Sequence, residues 1–198
     1  MKRIIFATTN EGKMQEIRVI LEELGCEIVS LKDLNMGIKI DENGKTFEEN
    51  AIIKAKTVME LTQEVVLADD SGLEIDYLDK APGILSARYL GENTDYKIKN
   101  QHILKLLEGV KEEERSARFV TSIACVFPTG EILTTYGTIE GRIGYEEKGK
   151  NGFGYDPIFV VPEFNCTTAE LSLQQKNRIS HRGKALKEMK HILEERGV

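Results

Sequence analysis

Disulfides, membrane-crossing runs and a basic surface are all missing from this sequence. Its cysteines, Cys26, Cys125 and Cys166, are 3 in number among 198 residues. An odd count at wide spacing excludes a disulfide framework and a zinc knuckle, and reads as small core residues in a reducing compartment. Proline and glycine, at 4 and 17 residues, are too few for collagen-like or low-complexity chains. Lysine and arginine number 27 against 33 acids, a net charge of −6. That excludes a whole-surface field for wrapping nucleic acid, so an anionic ligand must meet a local basic cluster. No run reaches the roughly 18 apolar residues of a membrane span, and Lys2 and Arg3 lead straight into a short apolar run with no leader pattern. A soluble, cytoplasmic protein without membrane or nucleic-acid partners is expected. The 3 histidines are scattered, which supports neither a zinc site nor a Ser/His/Asp triad.

What is there is an ordinary globular composition, 40% hydrophobic and 30% charged. The length predicts one domain over residues 1–198, able to bury about 70% of its extended surface. Arg3 to Thr8 reads as a strand ending in the polar turn Thr8, Thr9, Asn10. Met14, Ile17, Ile20, Leu21 and Leu24 then recur at helical spacing up to Gly25. Glu27 to Leu31 is a second strand. Thr46 and Glu49 form a capping box ahead of a helix with Ala51, Ile52, Ala55, Val58 and Met59 on one face. Val65 to Ala68 is a buried strand that delivers Asp69 and Asp70 at its C-terminal end. A helix over about Thr94 to Glu108 precedes a long hairpin, Ala117 to Phe127 and Glu131 to Arg142. A glycine-rich loop over Gly149 to Tyr155, a strand at Ile158 to Val161 and a helix over Ser180 to Glu195 complete the α/β pattern.

Four segments carry chemistry. Asp69 and Asp70, followed by Ser71 and Gly72, place adjacent carboxylates where they need a cation or a charged network; magnesium suits them, and a spare carboxylate can take a proton from water. An acidic turn is the plain alternative. Thr8, Thr9, Asn10, Glu11, Gly12 and Lys13, between strand and helix, offer amides, hydroxyls and a lysine to phosphate, or simply cap the helix. Gly152, Phe153, Gly154, Tyr155 and Asp156 combine close backbone approach with aromatic faces suited to a planar heterocycle, or form a turn with core aromatics. Lys176, Arg178, His181 and Arg182, where the last helix begins, offer a phosphate or base clamp, or a solvated basic helix start. A Walker A loop is rejected: Gly144, Gly149 and Lys150 match it, but Asn151 stands where a metal-bound hydroxyl is required.

Taken in order, the segments resemble the inosine triphosphate pyrophosphatase family, which hydrolyses non-standard purine nucleoside triphosphates to monophosphate and pyrophosphate. The resemblance runs nearly end to end. It rests on Thr8 to Asn10 with Lys13 and Glu16; Thr46, Phe47, Glu49, Asn50 and Ala51 with Lys54; Ala68 to Leu73; Pro82 and Gly83 with Ser86 to Tyr89; Phe153 to Phe159; and Ile179 to Gly183. It implies an elongated mixed β-sheet flanked by helices, two lobes with a central active-site cleft, and a homodimer. It further implies Mg2+ as cofactor and ITP, dITP and XTP as substrates. By position, Thr8 to Lys13 would contact phosphate or sugar, Lys54 would offset charge, Asp70 would accept the proton and Ser71 would touch substrate. Glu42, or the adjacent Asp41, would ligate metal with Asp69 and Asp70, whose roles are exchangeable. Phe153, Gly154, Tyr155, Asp156, Lys176, His181 and Arg182 would hold the base. Pyrophosphatases of the Maf-like group and a non-catalytic nucleotide sensor are the rival readings.

Overall fold

A computed structural model describes residues 2–198. One sheet of 7 strands is formed in the order β2-β1-β3-β4-β5-β6-β7. Its strands are β1 (Arg3–Phe6), β2 (Glu27–Ser30), β3 (Val65–Ile75), β4 (Ser116–Val126), β5 (Ile132–Ile143), β6 (Phe159–Val161) and β7 (Cys166–Thr167). The helices are α1 (Glu11–Leu21), α2 (Phe47–Thr62), α3 (Tyr96–Leu106), α4 (Leu173–Ile179) and α5 (His181–Glu195). β1 lies parallel to both β2 and β3, whereas β6 is antiparallel to β5 and β7. The sheet is therefore mixed and the fold α/β.

The chain divides into two compact units: Met1–Asp70 with Thr121–Gly137 and His181–Val198, and Ser71–Val120 with Thr138–Ser180. In the first, the alternation of strand side chains builds two cores from the same residues' neighbours. Ile4, Phe6, Leu67, Ile123 and Cys125 pack with Met14, Ile17 and Leu21 of α1 and Leu186, Met189 and Leu193 of α5. Ile5, Val66, Ala68, Ala124 and Val126 point the other way, onto Ala51, Ala55 and Val58 of α2. In β3 every residue from Val65 to Ala68 is consequently apolar until the carboxylates, the pattern of a strand covered on both faces. At Gly137, β5 comes so near the first turn of α5 that a Cβ would collide with the His181 carbonyl oxygen. The second unit has one core, including Leu73, Ile75, Ile103, Leu107, Phe119, Ile139, Tyr155 and Phe159. There the buried Arg115 donates to the carbonyls of Leu107, Ile143 and Gly144 at 2.6, 2.8 and 2.5 Å, tying the end of α3 to the end of β5.

Several boundaries differ from those read in the sequence. β3 does not stop at Ala68 but runs through Asp69 and Asp70 to Ile75; the carboxylates are tolerated inside a strand because cations from the flanking helices meet them. Thr46 caps α2 by accepting from Glu49 N–H at 3.1 Å, yet the Glu49 carboxylate accepts from Lys45 N–H, so the reciprocal half of the box is shifted by one residue. Lys176 and Arg178 lie on α4, a separate helix ahead of α5. Its signal in the sequence was a capping box, Ser172 with Gln175, whose two hydrogen bonds measure 3.2 and 2.9 Å. All three cysteines are free thiols; burial pushes that of Cys125 up to about 12.

Candidate active site

Each unit carries one cluster of chemically able side chains. In the first, consecutive strand residues project to opposite faces of the sheet, and Asp69 and Asp70 obey this. Asp69, in phase with Leu67, meets α1 and α5. Lys13 Nζ lies 2.9 Å from both of its oxygens, and Arg182 reaches Oδ2 through Nη2 at 3.1 Å and Nε at 3.2 Å. The third nitrogen of Arg182 is 2.5 Å from Glu16 on α1. This four-residue chain is almost wholly buried except for the Lys13 end. Burial draws the Lys13 ammonium below its ordinary value, with Asp69 opposing the shift. The carboxylates of Asp69 and Glu16 outweigh burial at Arg182 and hold it firmly charged.

Asp70, in phase with Ala68, meets α2 instead. Its Oδ2 accepts from Asn50 Nδ2 at 3.0 Å, and its Oδ1 stands 3.4 Å from Lys54 Nζ. Lys54 also donates to Glu42 at 2.9 Å. Burial raises the Asp70 carboxyl above the usual range, with Lys54 and Lys13 pulling it back. Burial acts on Lys54 in the opposite sense but is overcome by Asp70, Asp69 and Glu42, and its pKa is raised. Thr121 of β4 donates to the Asp70 backbone carbonyl at 3.2 Å, fixing the strand at that residue. Asp41, the neighbour of Glu42, is exposed.

At the start of α1, Asn10 caps the helix by accepting from Lys13 N–H at 3.1 Å, and Thr8 Oγ1 accepts from Asn10 N–H at 3.2 Å. Thr9, Asn10 and Glu11 are exposed, with Glu11 paired to Lys32 at 3.0 Å, while Thr8, Gly12 and Lys13 are half-buried. The turn thus presents polar groups beside the Lys13–Asp69 pair. Ser71 follows Asp70 on β3, half-buried, and opens the second unit.

In the second unit the glycine-rich loop closes on Asp156. Its Oδ2 accepts from Phe153 N–H at 2.8 Å and from Lys176 Nζ at 2.5 Å; its Oδ1 accepts from the Thr168 hydroxyl at 2.8 Å. Lys176 Nζ also sits 4.7 Å from the centre of the Phe153 ring. Gly152 has φ of +72°, and a Cβ there would run into the Asp156 carboxylate, so glycine is required twice over. Asn100 of α3 donates to Gly154 O at 3.2 Å. Tyr155 is a core residue: it packs edge-on to Tyr96 at 5.2 Å and donates to Ser86 O at 2.8 Å.

The sequence-predicted residues therefore separate into two groups. Thr8 to Lys13, Glu42, Lys54, Asp69, Asp70, His181 and Arg182 belong to the first unit, and Ser71, Phe153 to Asp156 and Lys176 to the second. His181 and Lys176 are both buried, but on different helices. Sequence reasoning gave no role to Glu16, Asn50 or Thr168. Glu16 carried a signal, an acid on the apolar face of α1 among Met14, Ile17 and Ile20. Thr168 carried none of its own.

The Ham1 family profile matches residues 4–192 of this chain. The chain belongs to the Ham1 family. A relative in Bacillus licheniformis, named dITP/XTP pyrophosphatase, is 48% identical over 195 residues, covering 98% of this chain and 100% of the relative. One of the same name in Bacillus subtilis is 46% identical over 194 residues, with 98% of each chain covered. Among solved structures, a HAM1 protein from Coxiella burnetii superposes with a TM-score of 0.88 at 42% identity, covering 98% of this chain and 100% of that one. Among the described residues no helix is long and apolar enough to cross a membrane.

Proposed function

We propose that this chain is a cytoplasmic, magnesium-dependent hydrolase that converts dITP, ITP and XTP to the nucleoside monophosphate and pyrophosphate, keeping deaminated purines out of DNA and RNA. The observation that carries the mechanism is Asp70, a buried carboxyl held between Asn50 and Lys54. A carboxylate fixed by such contacts is placed to accept a proton from water. In the proposed step a water oxygen bonds to the α-phosphorus, the bond to the bridging α–β oxygen breaks, pyrophosphate departs and the water proton passes to Asp70.

Glu42 and Asp70, from different elements, face one cationic point, Lys54 Nζ. Two carboxylates completed by phosphate oxygens are the donor set magnesium takes, so the residues fit the ion. Glu42 and Asp70 would hold it, and when bound it supplies charge stabilisation to the phosphoryl oxygens and the leaving group. Asp69, on the opposite face of β3, stays with Lys13 and Arg182. Lys13 and Lys54 are the cations a polyphosphate competes for, with the Thr8 to Gly12 turn beside them.

For the base, Phe153 offers a ring face and Lys176 a donor for a purine 6-keto oxygen. The 6-amino group of adenine would set donor against donor, and an unmet buried polar group costs about 1–3 kcal/mol, or roughly 5- to 150-fold. Arg182, neutralised by Glu16 and Asp69, is assigned to holding Asp69 in place of base contact. A homodimer is the assembly proposed, and sedimentation velocity giving only the single-chain mass at micromolar concentration would discard it.

The test is release of pyrophosphate and orthophosphate from ITP, dITP, XTP, GTP, ATP and CTP, with magnesium and with excess chelator. Pyrophosphate from the first three, lost on chelation and weak for the others, is the expected result. Orthophosphate as the product, or chelator-resistant turnover, would overturn the reaction or the metal respectively.

A further inference from the structure

Asp156 is held at both ends of its carboxylate. Phe153 N–H and Lys176 Nζ share Oδ2, at 2.8 and 2.5 Å. With those contacts alone the group would pivot, because the terminal torsion of an aspartate is broad and roughly two-fold. Thr168 removes that freedom: its hydroxyl lies 2.8 Å from Oδ1 and 3.2 Å from the Asp156 carbonyl oxygen. Thr168 is itself buried, and its backbone is set by the capping box of Thr167 and Glu170. The next residue, Ala169, accepts at its carbonyl from Lys150 N–H at 3.1 Å and Asn151 N–H at 2.9 Å, so the glycine-rich loop is anchored to the same turn.

An ammonium carries three donors, and the direction of the one given to Asp156 fixes where the others point. We infer that Thr168 is a positioning residue for base recognition: by locking the Asp156 carboxylate it aims Lys176 across the Phe153 ring. The inference rests on the function proposed above and adds to it a residue that touches no substrate.

The experiment compares Thr168→Val, which removes the hydroxyl at nearly constant volume, with Thr168→Ser, which keeps it. KM and kcat are measured for XTP and dITP, together with inhibition by inorganic triphosphate, which has no base. Thr168→Val is expected to raise KM about tenfold, the worth of one lost buried hydrogen bond, with kcat within twofold and triphosphate inhibition unchanged. Thr168→Ser is expected to restore KM. An unchanged KM in Thr168→Val, or a parallel weakening of nucleotide and triphosphate, overturns the assignment. If Thr168→Val does not fold, Thr168→Ala takes its place; if neither folds, Thr168 is a folding determinant and the inference is wrong. Should the wild-type chain release no pyrophosphate at all, the proposed function fails separately. Thr168 is then judged by calorimetric dITP affinity, which must fall in Thr168→Val and not in Thr168→Ser.

Discussion

The two units neutralise buried charge by different means. In the first, cations and carboxylates alternate along connected chains, Glu16 to Arg182 to Asp69 to Lys13, and Asp70 to Lys54 to Glu42. In the second, the one carboxylate of the cluster, Asp156, is met by an ammonium, an amide N–H and a hydroxyl. The first arrangement gives Lys13 and Lys54 carboxylate partners for which, in the function proposed, a polyphosphate would compete. The second fixes the direction of one carboxylate, which suits the base recognition proposed for it. A further contrast lies within six residues of chain: Asp70 is raised by burial, whereas Asp76 is driven well below its ordinary value. The hydrogen bonds responsible come first from Arg118, then Lys80 and Ser116.

The sharpest way to break the contrast is Asp70→Asn. It is expected to lower kcat about 10²- to 10⁴-fold, the usual worth of a general base, while calorimetric dITP binding in magnesium-free buffer stays close to wild type; near-normal turnover would remove the base from Asp70. Next comes Arg182→Met, which takes the guanidinium from between Glu16 and Asp69 and leaves Asp69 with Lys13. Urea unfolding should show a loss of about 3–5 kcal/mol, and adding Glu16→Gln should recover part of it; simple additivity would mean the chain is not coupled. In the second unit, Lys176→Met is expected to raise KM for XTP about tenfold with kcat changed far less. An equal loss in both parameters would place Lys176 in the chemical step.

The smallest effect concerns pH. Asp76 is lowered on folding, so its contribution to stability is fully present above its unfolded value, about 3.9, and is lost as pH falls through the folded one. Urea midpoints measured at about pH 5 and about pH 2.5 should therefore differ less in Asp76→Asn than in wild type. Asp70 works with the opposite sign, its contribution present at low pH and lost as pH rises through its raised value. An Asp76→Asn chain with an undiminished acid dependence would break this part of the comparison.

Much of the first unit was legible because local signals agree with tertiary ones. A cap within the Thr8 to Lys13 turn, which the structure gives to Asn10, the Thr46 cap and the period of Met14, Ile17 and Leu21 each predict what the cores then use. The end of β3 was not legible: a carboxylate pair looks like a strand terminator until Lys13, Arg182 and Lys54 are placed on its two sides. α4 was hidden because Arg178, His181 and Arg182 blur its boundary with α5 into a single basic stretch. The sequence offers Phe153 and Tyr155 alike as base-binding or core aromatics, and only the fold separates the one that reaches Ser86 O from the one lying under Lys176. Thr168 could not have been found, since its partner lies twelve residues away across a turn whose path no local pattern dictates.

The pleat at Asp69 and Asp70 has a practical consequence for protein engineering. Two identical neighbouring letters hydrogen-bond to side chains on different helices, so replacing one leaves the other's hydrogen bonds in place. Replacing only the second should leave the Lys13 side intact and yield an inert trap that captures damaged nucleotides without processing them. A reagent of that kind would let pools of deaminated purines be sampled directly, a use that a pair of aspartates on one face would not permit.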